Sequence, residues 1–310
     1  AGQILTFTYP LIGNYGVTPK KYWESSRIHA RGVIVGEACE SWSHYQGTQS
    51  LLEWLKDQAV PIIMGVDTRA LTKRLREHGV MMGAIESKVF SQKSKVVFDD
   101  FSAIDLVSQV SITRPKIYGS GRKKIIAVDC GMKENSIRHL QKFPVTIHRV
   151  PYDYDYTNER YDGIFLSNGP GDPMQCTKTI AILKKAMSVR GRKPTFGVCL
   201  GSQLMALAAG AKTYKLPYGH RGQNQPCIET DSKRCVMTSQ NHGYAVNEKT
   251  LPKNWRVTFR NLNDGSVEGI AHTHLPFFSV QFHPEAAPGP TDTEEMFGEF
   301  YEMLAKNHKS

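Results

Sequence analysis

From Ile125 to Ala209, short apolar runs alternate with helical patterns, and this alternation constrains the fold more than any other feature of the chain. Ile125–Val128, Pro144–Val150, Gly163–Ser167 and Pro194–Val198 read as strands, while Asn135–Gln141, Thr179–Val189 and Gly201–Ala209 read as helices. Strands that recur between helices run parallel, because each crossover helix returns the chain to the same end of the sheet, and the helices then cover both faces. The expected class is therefore α/β with a mostly parallel sheet. Ligands of such sheets sit beyond the carboxyl ends of the strands, where loops meet helix starts. Two loops fall there, 167–173 and 197–203.

The second of these loops carries the sequence Phe196-Gly-Val-Cys-Leu-Gly-Ser-Gln203, of the form G-x-C-x-G between an apolar strand and an Ala/Leu-rich helix. Small residues on either side of a nucleophile relieve crowding in a sharp strand-to-helix turn, and sulfur here takes the place of the usual oxygen. Cys199 then stands at a helix amino terminus, where free amides and the helix dipole favour thiolate over a thiol that otherwise titrates near pH ~8.5. The Leu200 amide is the expected oxyanion donor. On spacing alone, a buried cysteine between packing glycines is an equally open reading.

A second element near the carboxyl end, Phe277-Phe-Ser-Val-Gln-Phe-His-Pro-Glu285, delivers His283 and Glu285 from an apolar run. An imidazole can take the thiol proton and pass it to a leaving amine, and a carboxylate two residues on can orient the ring and stabilise its charged form. Pro284 fixes the turn between them. A lone histidine after a strand is usually dressing; together with the elbow, Cys199, His283 and Glu285 make a candidate catalytic triad.

The first third of the chain gathers no chemistry of its own. Strand-like runs at Ile4–Tyr9 and Arg31–Gly36 precede a helix opened by a capping box, Ser50-Leu-Leu-Glu53. The apolar run Pro61–Val66 then leads to Asp67, an N-cap for a helix that carries Leu71 and Leu75 one turn apart and ends at Gly79. Residues 1–115 are read as an amino-terminal domain, 116–123 as a linker broken by Gly119 and Gly121, and 124–310 as the domain bearing the triad.

Composition excludes several classes. An apolar fraction of 40% with 22% charged residues is that of an ordinary globular chain, and no run approaches the roughly 18 apolar residues of a membrane span. The start, AGQILTFTYP, has neither the basic head nor the apolar centre of a secretory signal and begins without Met, as a segment of a longer sequence would. The formal charge of +10 is spread in short clusters such as Lys20–Lys21 and Lys184–Lys185, with no aromatic-interleaved basic stripe, which argues for solvated surface rather than nucleic-acid binding. Six scattered cysteines without a CxxC pair fit reduced thiols inside the cell.

FGVCLGSQ, LSNGPGDP and QFHPE together resemble the triad-type, class I glutamine amidotransferases, and Cys199, His283 and Glu285 fall on the triad positions of that family. The resemblance implies a flavodoxin-like sheet and hydrolysis of L-glutamine through a glutamyl thioester. AAGAKTYK, YGHRGQNQP and TSQNHGYAV resemble the carbamoyl-phosphate synthetase branch, as do TYPLIGNYG, ESSRIHARGVIVGE and GVDTRALTKRLREHG in the first domain. The pattern is more similar to eukaryotic fused pyrimidine-pathway enzymes than to bacterial small subunits. By this resemblance Gly169, Gly171, Leu200, Gln203, Asn241, Gly243 and Tyr244 bind glutamine, a role that suits glycine-lined backbone facing a carboxylate and an ammonium. Gly169 and Gly171 are also read as simple turn residues, and Asn241–His242 as an ordinary hairpin turn.

The resemblance further implies a carbamoyl-phosphate synthetase large subunit or fused synthetase domain as partner, which receives the ammonia and uses ATP, magnesium and bicarbonate. No cofactor or metal is expected in this chain, nor a nucleic-acid or membrane partner. The expected compartment is the cytoplasm, with the mitochondrion as the alternative. Ser202 departs from a common family His, Tyr244 from a common Phe, and the substrate-contacting Ser of relatives lies upstream of the first residue. Those departures support an alternative, a catalytically silent scaffold that regulates an ammonia-using synthetase.

Overall fold

The computed structural model describes residues 1–86, 98, 103–188 and 192–306. The chain divides into two compact units, Ala1–Asp100 and Phe101–Ser310.

In the first unit, β1 (Ile4–Thr6), β2 (Leu11–Ile12), β3 (Gly32–Ile34) and β4 (Glu37–Ala38) precede α1 (Leu51–Asp57), β5 (Ile62–Ile63) and α2 (Thr68–His78). Strands β1, β3 and β5 form a parallel sheet in that order, and β2 pairs with β4. Both expected helix starts are present. Ser50 Oγ accepts from the Glu53 amide at 3.1 Å while the Glu53 carboxylate accepts from the Ser50 amide at 2.9 Å, and Asp67 Oδ1 accepts from the Ala70 amide at 2.9 Å. Gly79 ends α2 at φ +82°, a conformation that glycine adopts without a Cβ penalty. Val33, Val35, Leu55 and Val60 form the core of this unit.

In the second unit the elements are β6 (Lys116–Tyr118), β7 (Lys123–Asp129), α3 (Glu134–Leu140), β8 (Val145–Pro151), β9 (Gly163–Leu166), α4 (Thr177–Ser188), β10 (Thr195–Val198) and α5 (Leu200–Ala208). They are followed by β11 (Lys212–Glu229), β12 (Cys235–Asn247), β13 (Trp255–Asn261), β14 (Val267–His272), β15 (Phe277–Val280) and α6 (Met296–Lys306). The expected last residue of α4, Val189, lies outside the described residues. Ten strands make one sheet in the order β12-β11-β13-β14-β15-β10-β9-β7-β8-β6. Its centre, β8-β7-β9-β10-β15, is parallel and has the flavodoxin-like order 2-1-3-4-5.

Period-2 alternation sends successive side chains of the central strands to opposite faces. Ile126, Val128, Ile164 and Leu166 pack on one side with Leu183, Leu204 and Met205 of α4 and α5. Ile125, Ala127 and Phe165 pack on the other with Ile137, Leu140, Phe297 and Phe300 of α3 and α6. Each of these fully buried side chains other than Ala127 contributes roughly 1.5–3 kcal/mol, so the parallel centre is the rigid part of the unit.

Two boundary readings are corrected. Residues 116–123 are not a linker: β6 pairs antiparallel with β8, and β7 begins at Lys123. The glycines that resemble linker punctuation serve a close turn instead, Gly119 at φ +69° and Gly121 so near Pro144 that a Cβ would stand 2.0 Å from its carbonyl carbon. Leu106 and Val107, grouped by sequence with the first domain, are buried, and Val107 belongs to the core of the second unit. The division falls at Asp100 rather than residue 115.

Candidate active site

Strands β10 and β15 are adjacent and parallel, with Val198 opposite Val280, so the residues after each emerge at the same edge of the sheet. The Cys199 amide donates to the Val280 carbonyl at 2.8 Å, holding the two chain exits side by side. Cys199 is the N-cap of α5 with φ +54° and ψ −104°, one of three described non-glycine residues at positive φ. That backbone costs about 1–3 kcal/mol for an L residue and persists because packing over-determines it. Gly197 and Gly201 make the turn possible: a Cβ on Gly197 would lie 2.7 Å from the Gly201 carbonyl oxygen, and one on Gly201 would lie 2.3 Å from the Leu166 carbonyl oxygen.

His283 and Glu285 follow β15, and the His283 amide donates to the Ser239 carbonyl at 2.9 Å. His283 Nδ1 and Glu285 Oε1 are 2.8 Å apart, with both side chains buried. His283 Nε2 is buried without a hydrogen-bond partner among the described residues. With Nδ1–H given to the carboxylate, Nε2 carries the lone pair, as a general base requires.

Electrostatics correct the expectation of a resting thiolate. Burial pushes the Cys199 thiol up to about 12, and the Glu285 charge adds to that, outweighing Lys133 and the Leu200 amide, which pull it down. Burial and then Lys133 lower the His283 imidazole against the opposing pull of Glu285. Burial alone would raise the Glu285 carboxyl, but the His283 hydrogen bond and charge, with Lys133, bring it down to about 2. At neutral pH the site is thus neutral thiol, neutral imidazole and charged carboxylate.

The remaining candidates are distributed around this edge. Leu200 and Gln203 lie in the first turns of α5, and Gln203 Nε2 donates to the Tyr244 carbonyl at 2.8 Å, tying the helix to β12. Gly169 follows β9 and lies against Leu200 and Cys130: a Cβ there would meet the Cys130 carbonyl oxygen at 2.1 Å and Leu200 Cδ2 at 2.6 Å. Gly171 has φ +92°, and a Cβ there would lie 3.4 Å from Leu106 Cβ. Asn241, Gly243 and Tyr244 lie within β12 rather than in a hairpin turn, and Asn241 is exposed opposite Arg221. Ser202 is buried, its hydroxyl 2.8 Å from that of Ser279.

Sequence reasoning missed three neighbours of the triad. Gln281 Nε2 donates to Cys199 Sγ at 3.7 Å and its Oε1 accepts from Gln203 at 3.0 Å; its place two residues before His283, in the same run, was an available signal. Lys133 Nζ is 3.8 Å from Glu285 Oε1, and Asn135 Nδ2 donates to the Glu285 carbonyl at 2.6 Å. Both sit near the start of α3, about 150 residues away in sequence, and only the fold brings them in. Their loop is anchored by buried Asp129, which accepts from the Gly131 and Met132 amides at 2.8 and 2.9 Å and from Arg149 at 2.7 Å.

Comparison with known proteins agrees with this fold. Residues 126–303 match the model of the glutamine amidotransferase class-I family, and residues 1–85 match that of the carbamoyl-phosphate synthase small chain, CPSase domain. The multifunctional protein CAD of Squalus acanthias is 49% identical over 310 residues, covering 97% of this chain but 14% of that protein. The carbamoyl phosphate synthase arginine-specific small chain of Candida albicans is 45% identical over 327 residues, covering 100% of this chain and 76% of its own. A crystal structure of a putative GMP synthase protein from Thermoplasma acidophilum shares the fold, with a TM-score of 0.53 at 24% identity over 59% of this chain and 94% of that one. Fold, elbow and the 126–303 match define a class I glutamine amidotransferase unit. With the 1–85 match and a small chain of which this chain covers about three quarters, the chain belongs to the carbamoyl-phosphate synthase small-chain family.

Proposed function

We propose that this chain hydrolyses L-glutamine to glutamate and ammonia, with Cys199 as nucleophile, and delivers the ammonia to a carbamoyl-phosphate synthetase portion. The observation that carries the reading is a strained cysteine at a helix start, leaving the strand paired with β15, whose own exit leads to a buried imidazole with no Nε2 partner among the described residues. In the proposed reaction the Cys199 sulfur attacks the side-chain amide carbon as its proton passes to His283 Nε2. The amide of Leu200 and backbone near Gly171 stabilise the oxyanion. His283 returns the proton to the departing nitrogen, ammonia leaves, and a thioester remains. His283 then takes a proton from water, hydroxide attacks the thioester carbon, and glutamate and the thiol are released. Glu285 orients the ring and stabilises its charged form throughout.

Gln203, Tyr244 and Gly243 line one side of the glutamine in this reading, Gly169 and Gly171 the other, and Asn241 the outer rim. The synthetase partner, either a separate large chain or a domain of the same polypeptide, carries out the chemistry of ATP, magnesium and bicarbonate, so this chain needs no cofactor of its own. The names of the small chain and of the multifunctional relative support that division of labour. The cytoplasm is the proposed compartment, in keeping with six cysteines that are all thiols. No described helix is long and apolar enough to cross a membrane.

The test is glutamate and ammonia release by the chain, alone and with a synthetase partner, beside Cys199→Ala. A γ-electrophilic glutamine analogue should label the Cys199 peptide once per chain. Equal hydrolysis by wild type and Cys199→Ala rejects the nucleophile; absent hydrolysis and labelling even with the partner leaves a silent scaffold.

A further inference from the structure

The antiparallel wing buries a second group of ionisable side chains, with no role in the reaction just described. His220 of β11, His242 of β12 and Glu268 of β14 bring one ligand-type atom each to a common point. His220 Nδ1 is 3.2 Å from His242 Nε2 and 3.2 Å from Glu268 Oε1, and His242 Nε2 is 3.4 Å from the same oxygen. Donors about 2.0–2.1 Å from a tetrahedral zinc ion stand roughly 3.3–3.4 Å apart. The triangle has that size.

The outer nitrogens fix which way the lone pairs point. His220 Nε2 is 2.9 Å from Asp264 Oδ2, and His242 Nδ1 is 3.0 Å from the Tyr244 carbonyl. When each outer N–H is donated to these acceptors, the inner nitrogens of neutral rings both present lone pairs to Glu268. This is how metal-binding histidines are held, by a carboxylate or carbonyl on the far nitrogen. Glu268 is fully buried, and its Oε2 has no hydrogen-bond partner among the described residues. The donors that reach these three acceptors do so only at long range, Asn261 Nδ2 at 3.4 Å from His220 Nδ1 and the Ser266 hydroxyl at 3.5 Å from Glu268 Oε1, so the cluster, with its orphaned carboxylate oxygen, suits a cation. Gln240 offers a fourth donor: its Nε2 donates to Thr238 and Cys227, which turns Oε1 to within 3.3 Å of His242 Nε2.

We propose that His220, His242 and Glu268 form a structural site for a divalent transition metal of the zinc class. The ion ties together three strands of the wing where β11 is irregular, between Lys215 and His220. Through His242 it also fixes the Tyr244 carbonyl that Gln203 holds. The alternative occupant is a proton, giving an imidazolium on His220 that donates to Glu268.

The test reads metal content and stability, not glutamine hydrolysis. The full chain, without a histidine tag, is loaded with zinc, freed of excess and assayed by elemental mass spectrometry. Cobalt loading then reports the ligands by visible absorption. About one zinc per chain is expected, with tetrahedral cobalt bands that lack thiolate charge transfer. Glu268→Gln should weaken zinc binding about 100-fold or more and abolish the zinc-dependent rise in Tm. Asp264→Asn, which keeps all three ligands, should weaken it about 10-fold and serves if the first variant does not fold. Zinc retention below about 0.1 per chain, unchanged affinity in the folded variants, or thiolate bands in the cobalt spectrum would overturn the site.

Discussion

Substituting Gly201 by alanine isolates the contact that aims the nucleophile. A methyl group there would stand 2.3 Å from the Leu166 carbonyl oxygen and 2.8 Å from the Leu166 carbonyl carbon. Both are backbone atoms of β9, which is pinned between β10 and β7 and cannot yield. Reaching ordinary contact requires α5 to move by about 1 Å, and with it Cys199 and the Leu200 amide. A misplacement of that size costs about 100-fold in rate, or about 2.7 kcal/mol of transition-state stabilisation. Overpacking costs about 1–3 kcal/mol of stability, against about 1 kcal/mol gained from helix propensity, so the clash prevails and Tm should fall by a few degrees. Gly298→Ala is the control: that glycine of α6 has only Phe143 Cζ nearby, at 4.0 Å, so the variant should keep activity and be stabilised by up to about 1 kcal/mol. The assays are steady-state glutamate release, electrophile labelling of Cys199 and thermal unfolding. Gly201→Ala with activity within about 3-fold of wild type and an unchanged Tm would refute the reasoning.

Two further outcomes follow from buried charge. The Glu285 carboxyl lies at about 2 in the folded chain against an ordinary 4.5, a difference of about 3 kcal/mol; because the folded value is the lower one, that stability is present above pH ~4.5 and is lost as pH falls towards 2. Denaturant titrations of wild type and Glu285→Gln should therefore converge as pH drops through that window, and a gap that stays constant would show that the charge contributes nothing. Asp129→Asn leaves Arg149, buried and held charged, facing a neutral amide on one side, and should cost about 3–5 kcal/mol and disorder the 130–134 loop; a loss under about 1 kcal/mol in chemical denaturation would show the pair to be incidental.

The parallel centre was legible because its strands are buried on both faces and its helices have clear starts, so the period changes sharply at each boundary. The antiparallel wing was not. Lys212–Glu229 contains Pro217, Pro226, Gly219 and Gly222 among charged residues, and it alternates poorly because much of it is exposed and its register with β12 slips twice. Such a segment reads as loop; only its partner, β12, makes it a strand. The triad was legible because the histidine and carboxylate are two residues apart and the elbow has its own glycine signature. His220, His242 and Glu268, each alone on a different strand, leave no spacing to read, and Lys133 reaches Glu285 only through the sheet order.

In the proposed reaction Glu285 acts on the two steps of proton transfer with opposite signs, which is how a buried thiol could still serve as nucleophile. Loss of the Cys199 proton to solvent would leave an anion in a desolvated site near a second anion, which is why the thiol is pushed up to about 12. Transfer of the same proton to His283 creates an imidazolium 2.8 Å from that carboxylate, so the charge that opposes a lone thiolate favours the thiolate–imidazolium pair. Lys133, 3.8 Å from Glu285, moderates the carboxylate from its other side. A cysteine arranged in this way stays protonated, and protected from oxidants that attack thiolates, until a substrate carbonyl is in place to accept its electrons. In the proposed reaction burial at the elbow therefore selects when the sulfur reacts, and the helix start, which by itself would give a standing thiolate, instead offers the Leu200 amide to the oxyanion.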